Sequence, residues 1–117
     1  MWTRRRPPYE EIKVEGWLQV ASADEVTQNR IKQFAYGKIP GVIINDMGEM
    51  RAFSLLCSHL GCVLNWSYHR KVFICPCHGG EFDSNGRAIV KPPEEPLKKF
   101  AVQVRESKIY VKPSWLG

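Results

Sequence analysis

Two short runs hold most of the chemistry open to this chain. Cys57-Ser58-His59-Leu60-Gly61-Cys62 and Cys75-Pro76-Cys77-His78-Gly79-Gly80 contain all four cysteines and two of the three histidines. Each run offers one cysteine and one histidine to a metal and leaves one cysteine over. A mixed thiolate and imidazole set suits an iron–sulfur centre in which two thiolates hold one iron and two imidazoles the other. Thiolate is soft and anionic and stabilises ferric iron, whereas neutral imidazole does so less, so the imidazole-held iron is the easier one to reduce. Free ring nitrogens also carry protons, a handle that an all-cysteine centre lacks.

Other chemistries fit the same residues less well. Structural zinc sites usually follow C-x2-C and H-x3-5-H spacing. Here the spacing is C-x-H and C-x2-H, each interrupted or followed by a further cysteine. Two plain disulfides would leave His59 and His78 without a role. His69, in Tyr68-His69-Arg70-Lys71 between two apolar runs, reads as an exposed turn residue rather than a ligand.

C-S-H-L-G-C paired with C-P-C-H-G-G resembles the motif of Rieske [2Fe–2S] proteins, specifically the subunit of quinol-oxidising cytochrome bc-type complexes, over roughly residues 51–112. The resemblance implies one [2Fe–2S] cluster per chain, with Cys57 and Cys75 on the inner iron and His59 and His78 on the outer one. It also implies a disulfide between Cys62 and Cys77. Soluble Rieske ferredoxins and the oxygenases they serve generally lack the second cysteine of each loop. A bridge closing about 15 residues is worth roughly 3 kcal/mol in the chain-entropy model, and it points to an oxidising compartment. The competing reading of these two cysteines is a pair of free thiols in a cytosolic protein.

Two positions depart from the high-potential pattern. In many ubiquinol- or plastoquinol-oxidising relatives a serine follows the second loop's glycine and a tyrosine lies two residues later, both donating hydrogen bonds to cluster sulfurs. This chain has Gly80 and Phe82 there, and neither side chain donates. Fewer donors imply a potential in the middle or lower part of the Rieske range of about −150 to +300 mV. The partner expected is therefore a low-potential quinol such as menaquinol.

The function the resemblance implies is one-electron transfer from that quinol to a cytochrome c-type haem, with a cytochrome b-type membrane subunit as partner. His78, with His59 as the second exposed imidazole, would take the quinol proton; the chain alone has no complete active site. The alternatives are a soluble Rieske ferredoxin, or a small redox subunit of an oxidase or oxygenase such as arsenite oxidase, and a structural zinc module without redox activity. The expected location is the extracytoplasmic, periplasmic-side face of an energy-transducing membrane, either peripheral or as the head of an anchored subunit. No run approaches the roughly 18 apolar residues of a membrane helix, and no signal-peptide core follows Arg4-Arg5-Arg6. Arginines just outside a membrane helix on that face would also run against the positive-inside tendency.

The rest of the chain must position the two loops. With 117 residues, 44% hydrophobic and 11% aromatic, it can bury one modest core. Its net charge of +5 is scattered apart from the arginine triplet, and no nucleic-acid motif accompanies it. Residues 1–15, polar and proline-bearing, read as an arm or tether, and 16–117 as the domain. Strand-like runs dominate: Trp17 to Val20, Ile31 to Tyr36, Gly41 to Asn45, and Met50 to Leu56 leading into the first loop. Val63 to Trp66 and Lys71 to Ile74 form a hairpin-like pair delivering the second. Phe82 and Ala88-Ile89-Val90 flank an Asn85-Gly86 turn, and Phe100, Val102 and Val104 alternate opposite Ile109 and Val111. Ser22 to Glu25 reads as a capped helical turn. Lys91-Pro92-Pro93-Glu94-Glu95-Pro96 lacks ladder donors and cannot be a central strand. The fold class is all-β, an antiparallel sandwich or partly barrel-like domain with a two-loop cluster-binding subdomain. The resemblance gives Pro92, Pro93 and Pro96 the role of a third wall beside the loops; as a bare sequence they are equally a stiff surface connection. Leu60, next to His59, is either an apolar contact for a membrane partner or a residue packed back onto the domain.

Overall fold

The computed structural model describes residues 13, 14, 16–57 and 61–116. Among the described residues eleven strands form two antiparallel sheets: β1 (Lys13–Val14), β2 (Trp17–Ser22), β3 (Ile31–Tyr36), β4 (Ile39–Asp46), β5 (Glu49–Ser54), β6 (Asn65–Ser67), β7 (Val72–Ile74), β8 (Glu81–Asp83), β9 (Ala88–Val90), β10 (Lys99–Arg105) and β11 (Lys108–Pro113). The larger sheet runs β1-β2-β11-β10-β5-β4-β3 and the smaller β6-β7-β8-β9. Because β2 also comes alongside β3, the larger sheet curls almost closed. The expected all-β class is what the chain adopts. Of the expected arm, Lys13–Val14 pairs with β2 as a short strand, and residues 1–12 and 15 lie outside the described residues.

Alternation explains most of these strands. β11 reads Lys108-Ile109-Tyr110-Val111, with Ile109 and Val111 fully buried and the residues between them less so. β4 breaks the rule, since Val42, Ile43 and Ile44 are all buried. The reason is that β4 and β5 are covered on both faces. Ile43 and Ala52 join Leu18, Val20, Phe34, Phe100, Ile109 and Val111 in one core inside the curled sheet. Val42, Ile44, Phe53 and Leu55 face the other way, into a second core with Leu64, Phe73, Phe82 and Leu97 from the smaller sheet and its connections. A strand buried on both sides must be apolar throughout. The second core also contains Cys57 and Cys75, so the chemistry sits on a packed base.

The expected hairpins are present with different boundaries. β4 begins at Ile39, two residues before the expected start, because Ile39 and Pro40 pair with Tyr36 and Ala35. Val63 lies outside β6 and instead bridges back to Leu56. At Asn85-Gly86 the turn is organised by Asp83: its Oδ1 accepts N–H bonds from Asn85 and Arg87 at 2.9 Å each, and its carbonyl accepts the Gly86 N–H at 2.9 Å. The predicted helical turn is a 3-10 turn over Ala23–Glu25, with the Glu25 carboxylate accepting the Ser22 N–H at 3.4 Å.

Candidate metal centre

The described residues of both motif runs share one backbone hydrogen-bond pattern. In the first, the Cys57 N–H donates to the Cys62 carbonyl at 2.7 Å, and the Cys57 carbonyl accepts the Gly61 N–H at 2.9 Å. In the second, the Cys75 N–H donates to the Gly80 carbonyl at 2.8 Å, and the Cys75 carbonyl accepts the Gly79 N–H at 2.8 Å. In each, a cysteine bonds forward five residues and is bonded back from a glycine four residues on. Gly61 and Gly79 take φ of 74° and 76°, the left-handed conformation that lets so short a loop close. β5 and the Leu56–Val63 bridge hold the first loop, and β7 and β8 hold the second.

This doubling places Cys57 and Cys75 inside, 3% and 2% exposed. Burial raises the Cys75 pKa, but it is outweighed by hydrogen bonds from the Cys77 N–H, the Cys57 thiol and the His78 N–H, and the net shift is downward. A buried sulfur surrounded by donors favours the thiolate, the form that ligates metal. Cys57 and Cys75, buried side by side with one from each loop and their thiols in hydrogen-bond contact, fit a cationic iron–sulfur core held from below. His78, Pro76 and Cys77 lie on the exposed side of the second loop. His59, with Ser58 and Leu60, lies outside the described residues.

Cys62 and Cys77 are joined in a disulfide with Cα atoms 6.5 Å apart, tying one loop to the other. The sulfurs of Cys62, Cys75 and Cys77 lie within 4.8 Å of one another, so the bridge sits directly beside the buried thiol. The proline-rich segment flanks the loops. A Cβ on Gly80 would meet the ring of Pro93, with Cγ at 2.8 Å, and the Val90 carbonyl oxygen at 3.2 Å. Pro93 is buried and Pro92 half-buried. Pro96, with Lys98 and Trp115, faces Cys57 and Gly61 across a 520 Å³ cleft. Phe82 is fully buried and Gly80 has no side chain, so neither position presents a donor to the loop sulfurs.

His69 is exposed in the turn at the opposite end of β7 from Cys75. Sequence reasoning missed two charged groups, one directly beside the second loop and one at the far end of the sheets from both loops. Glu81, directly after Gly80, takes a bidentate bond from Arg70 at 2.6 and 3.0 Å. The half-buried Asp46 accepts from Arg51 at 2.6 Å and Ser84 at 3.0 Å, with Lys71 at 3.9 Å. Both arrangements depend on cross-strand register, which no local pattern encodes.

Comparison with known proteins agrees with this geometry. A family model described as the Rieske [2Fe–2S] domain matches residues 16–101. The cytochrome b6-f complex iron-sulfur subunit of Chlorobaculum tepidum is 32% identical over 105 residues, covering 90% of this chain and 58% of the relative. The chain thus spans a little over half the length of the curated relatives it matches. Among solved structures, the cyanobacterial plasma membrane Rieske protein of Synechocystis PCC 6803 superposes with a TM-score of 0.64 at 28% identity, over 88% of this chain and 92% of that one. The ferredoxin of carbazole 1,9a-dioxygenase from Nocardioides aromaticivorans IC177 gives a TM-score of 0.69 at 24% identity, over 86% and 100%, a likeness of fold alone. With the doubled loops, the buried thiol pair and the family match in agreement, the chain belongs to the Rieske [2Fe–2S] domain family and is an electron carrier with a Rieske-type [2Fe–2S] cluster.

Proposed function

We propose that this carrier takes an electron and a proton from a low-potential quinol and passes the electron to a cytochrome c-type haem, within a complex that includes a cytochrome b-type membrane subunit. Cys57 and Cys75 hold the inner iron and His59 and His78 the outer one, on a domain spanning 16–117 with 1–15 as its arm. When bound, the cluster supplies a one-electron site whose charge sets the proton affinity of its imidazole ligands. His78 presents its outer ring nitrogen to a quinol hydroxyl and takes the proton, with His59 as the second such imidazole. The buried Cys57 and Cys75 exclude water from the inner side. The Cys62–Cys77 bridge holds both loops in register, so the imidazoles keep their aim.

The inside–outside order carries this reading: paired thiols at 3% and 2% exposure beneath an exposed His78. Donor-poor Gly80 and Phe82 support menaquinol over higher-potential quinols. The disulfide supports an extracytoplasmic location, and no helix among the described residues is long and apolar enough to cross a membrane. The disulfide and the b6-f relatives weigh against a soluble ferredoxin or arsenite oxidase-type subunit. Reduction in a reconstituted complex tests the proposal. Menaquinol-dependent reduction of the carrier followed by haem reduction is expected. Reduction by an oxygenase reductase, with none by quinol, would overturn it.

A further inference from the structure

We propose that the cluster-free chain is an internal thiol–disulfide exchanger, in which Cys75 displaces Cys77 from its bridge to Cys62. Three sulfurs carry this: the Sγ atoms of Cys62, Cys75 and Cys77 lie within 4.8 Å of one another, with two bonded and the third a free thiol. That thiol is 2% exposed, so its nearest disulfide is the one beside it and competition from solvent is slight. Exchange proceeds by attack of a thiolate on a disulfide sulfur. The Cys75–Cys62 bond forms as the Cys62–Cys77 bond breaks, the bonding pair leaves on Cys77 sulfur, and the proton lost by Cys75 ends there. No external oxidant or reductant is consumed.

Direction follows from the loop. Attack on Cys62 sulfur gives a bridge that still spans the two loops. Attack on Cys77 sulfur would close a small ring across Pro76, whose fixed φ restricts it. The released thiol, Cys77, is on the exposed side. Cys57 is also buried and free, yet it lies outside the three-sulfur group and takes no part. One consequence rests on the ligand assignment of the preceding section: iron bound by Cys75 withholds that sulfur, so the cluster protects the Cys62–Cys77 pairing. An exchanged chain has lost a ligand.

Thiol mapping tests this without an activity assay. Purified full-length protein is divided into cluster-loaded and chelator-stripped samples, incubated at mildly alkaline pH, alkylated at intervals and digested for mass spectrometry. The stripped sample is expected to show time-dependent alkylation of Cys77 with a Cys62–Cys75 linkage, approaching about half the chains if the two pairings have similar energy. Loaded protein and the Cys75→Ser variant should retain Cys62–Cys77. Alkylation confined to Cys57 and Cys75 throughout would overturn the exchange. So would linkages that include Cys57, the mixture an unfolded chain produces. Iron content of freshly purified Cys75→Ser separately tests the ligand assignment: full iron there would refute it and leave the exchange standing.

Discussion

At the scale of single residues, Gly80 is held as glycine by packing. A Cβ there would collide with Pro93, whose Cγ would lie at 2.8 Å. Installing a donor by Gly80→Ser is therefore expected to displace the proline wall and to cost about 1–3 kcal/mol as an overpacking substitution, read as a lower denaturation midpoint. Phe82→Tyr is the cleaner probe. Its hydroxyl enters a fully buried position beside the loops, and a donor reaching a loop sulfur raises the potential while the fold is retained. An unchanged potential with a stability loss of about 1–3 kcal/mol would mean that the hydroxyl found no partner. The two motif loops stood out in the sequence because their cysteines, histidines and glycines are packed into six residues each. The Gly80–Pro93 contact did not, because two positions separated along the chain share one volume.

At the scale of elements, turn chemistry contains a correctable defect. The β10–β11 hairpin turns on Glu106 and Ser107, with φ of 52° and 65°, left-handed backbone that ordinary residues adopt at a cost. Replacing the pair by Asn-Gly, the residues such turns prefer, is expected to raise stability by about 1 kcal/mol. Equilibrium urea unfolding checks this, and no gain would show that the Ala23 N–H to Ser107 carbonyl bond of 2.8 Å already fixes the turn. Alternation located β11 well, because Ile109 and Val111 are buried while their neighbours are more exposed; on β10 only Phe100 of the alternating apolar residues is buried, and Val104 is exposed. Alternation gave only an approximate start for β4, where burial on both faces erases the period.

Between elements, Asp46 joins the two sheets through Arg51 on β5, Ser84 after β8 and Lys71 before β7. Burial raises its pKa, but bonds from Arg51 and Ser84 and the charges of Arg51 and Lys71 prevail, and the folded value is lowered. Its stabilisation is thus present above the unfolded carboxyl value near about 4 and is lost as pH falls through the lower folded value. Asp46→Asn should lower stability at neutral pH by about 1–2 kcal/mol and flatten the acid limb of the stability profile. Denaturant midpoints between neutral and acid pH measure both. An unaltered acid limb would remove Asp46 as the carboxyl responsible.

For the whole molecule, two cores with β4 and β5 between them make a packed base, and the second core includes Cys57 and Cys75. The all-β class was legible from the spacing of apolar runs. The near closure of the larger sheet was not, since pairing of β11 with β2 joins opposite ends of the chain. On that base Cys57 and Cys75 lie inward and His78 outward, the order on which the proposed electron transfer rests. Redox titration of the purified protein across pH, followed by EPR and optical spectra, is the most direct test. A Rieske spectrum is expected, with a neutral-pH potential in the middle or lower part of the range of about −150 to +300 mV. Towards alkaline pH the potential should fall, by about 59 mV per pH unit for each proton taken up with one electron. A potential near the top of that range would contradict the reading of Gly80 and Phe82, and a colourless, redox-silent protein containing zinc would contradict the metal centre itself.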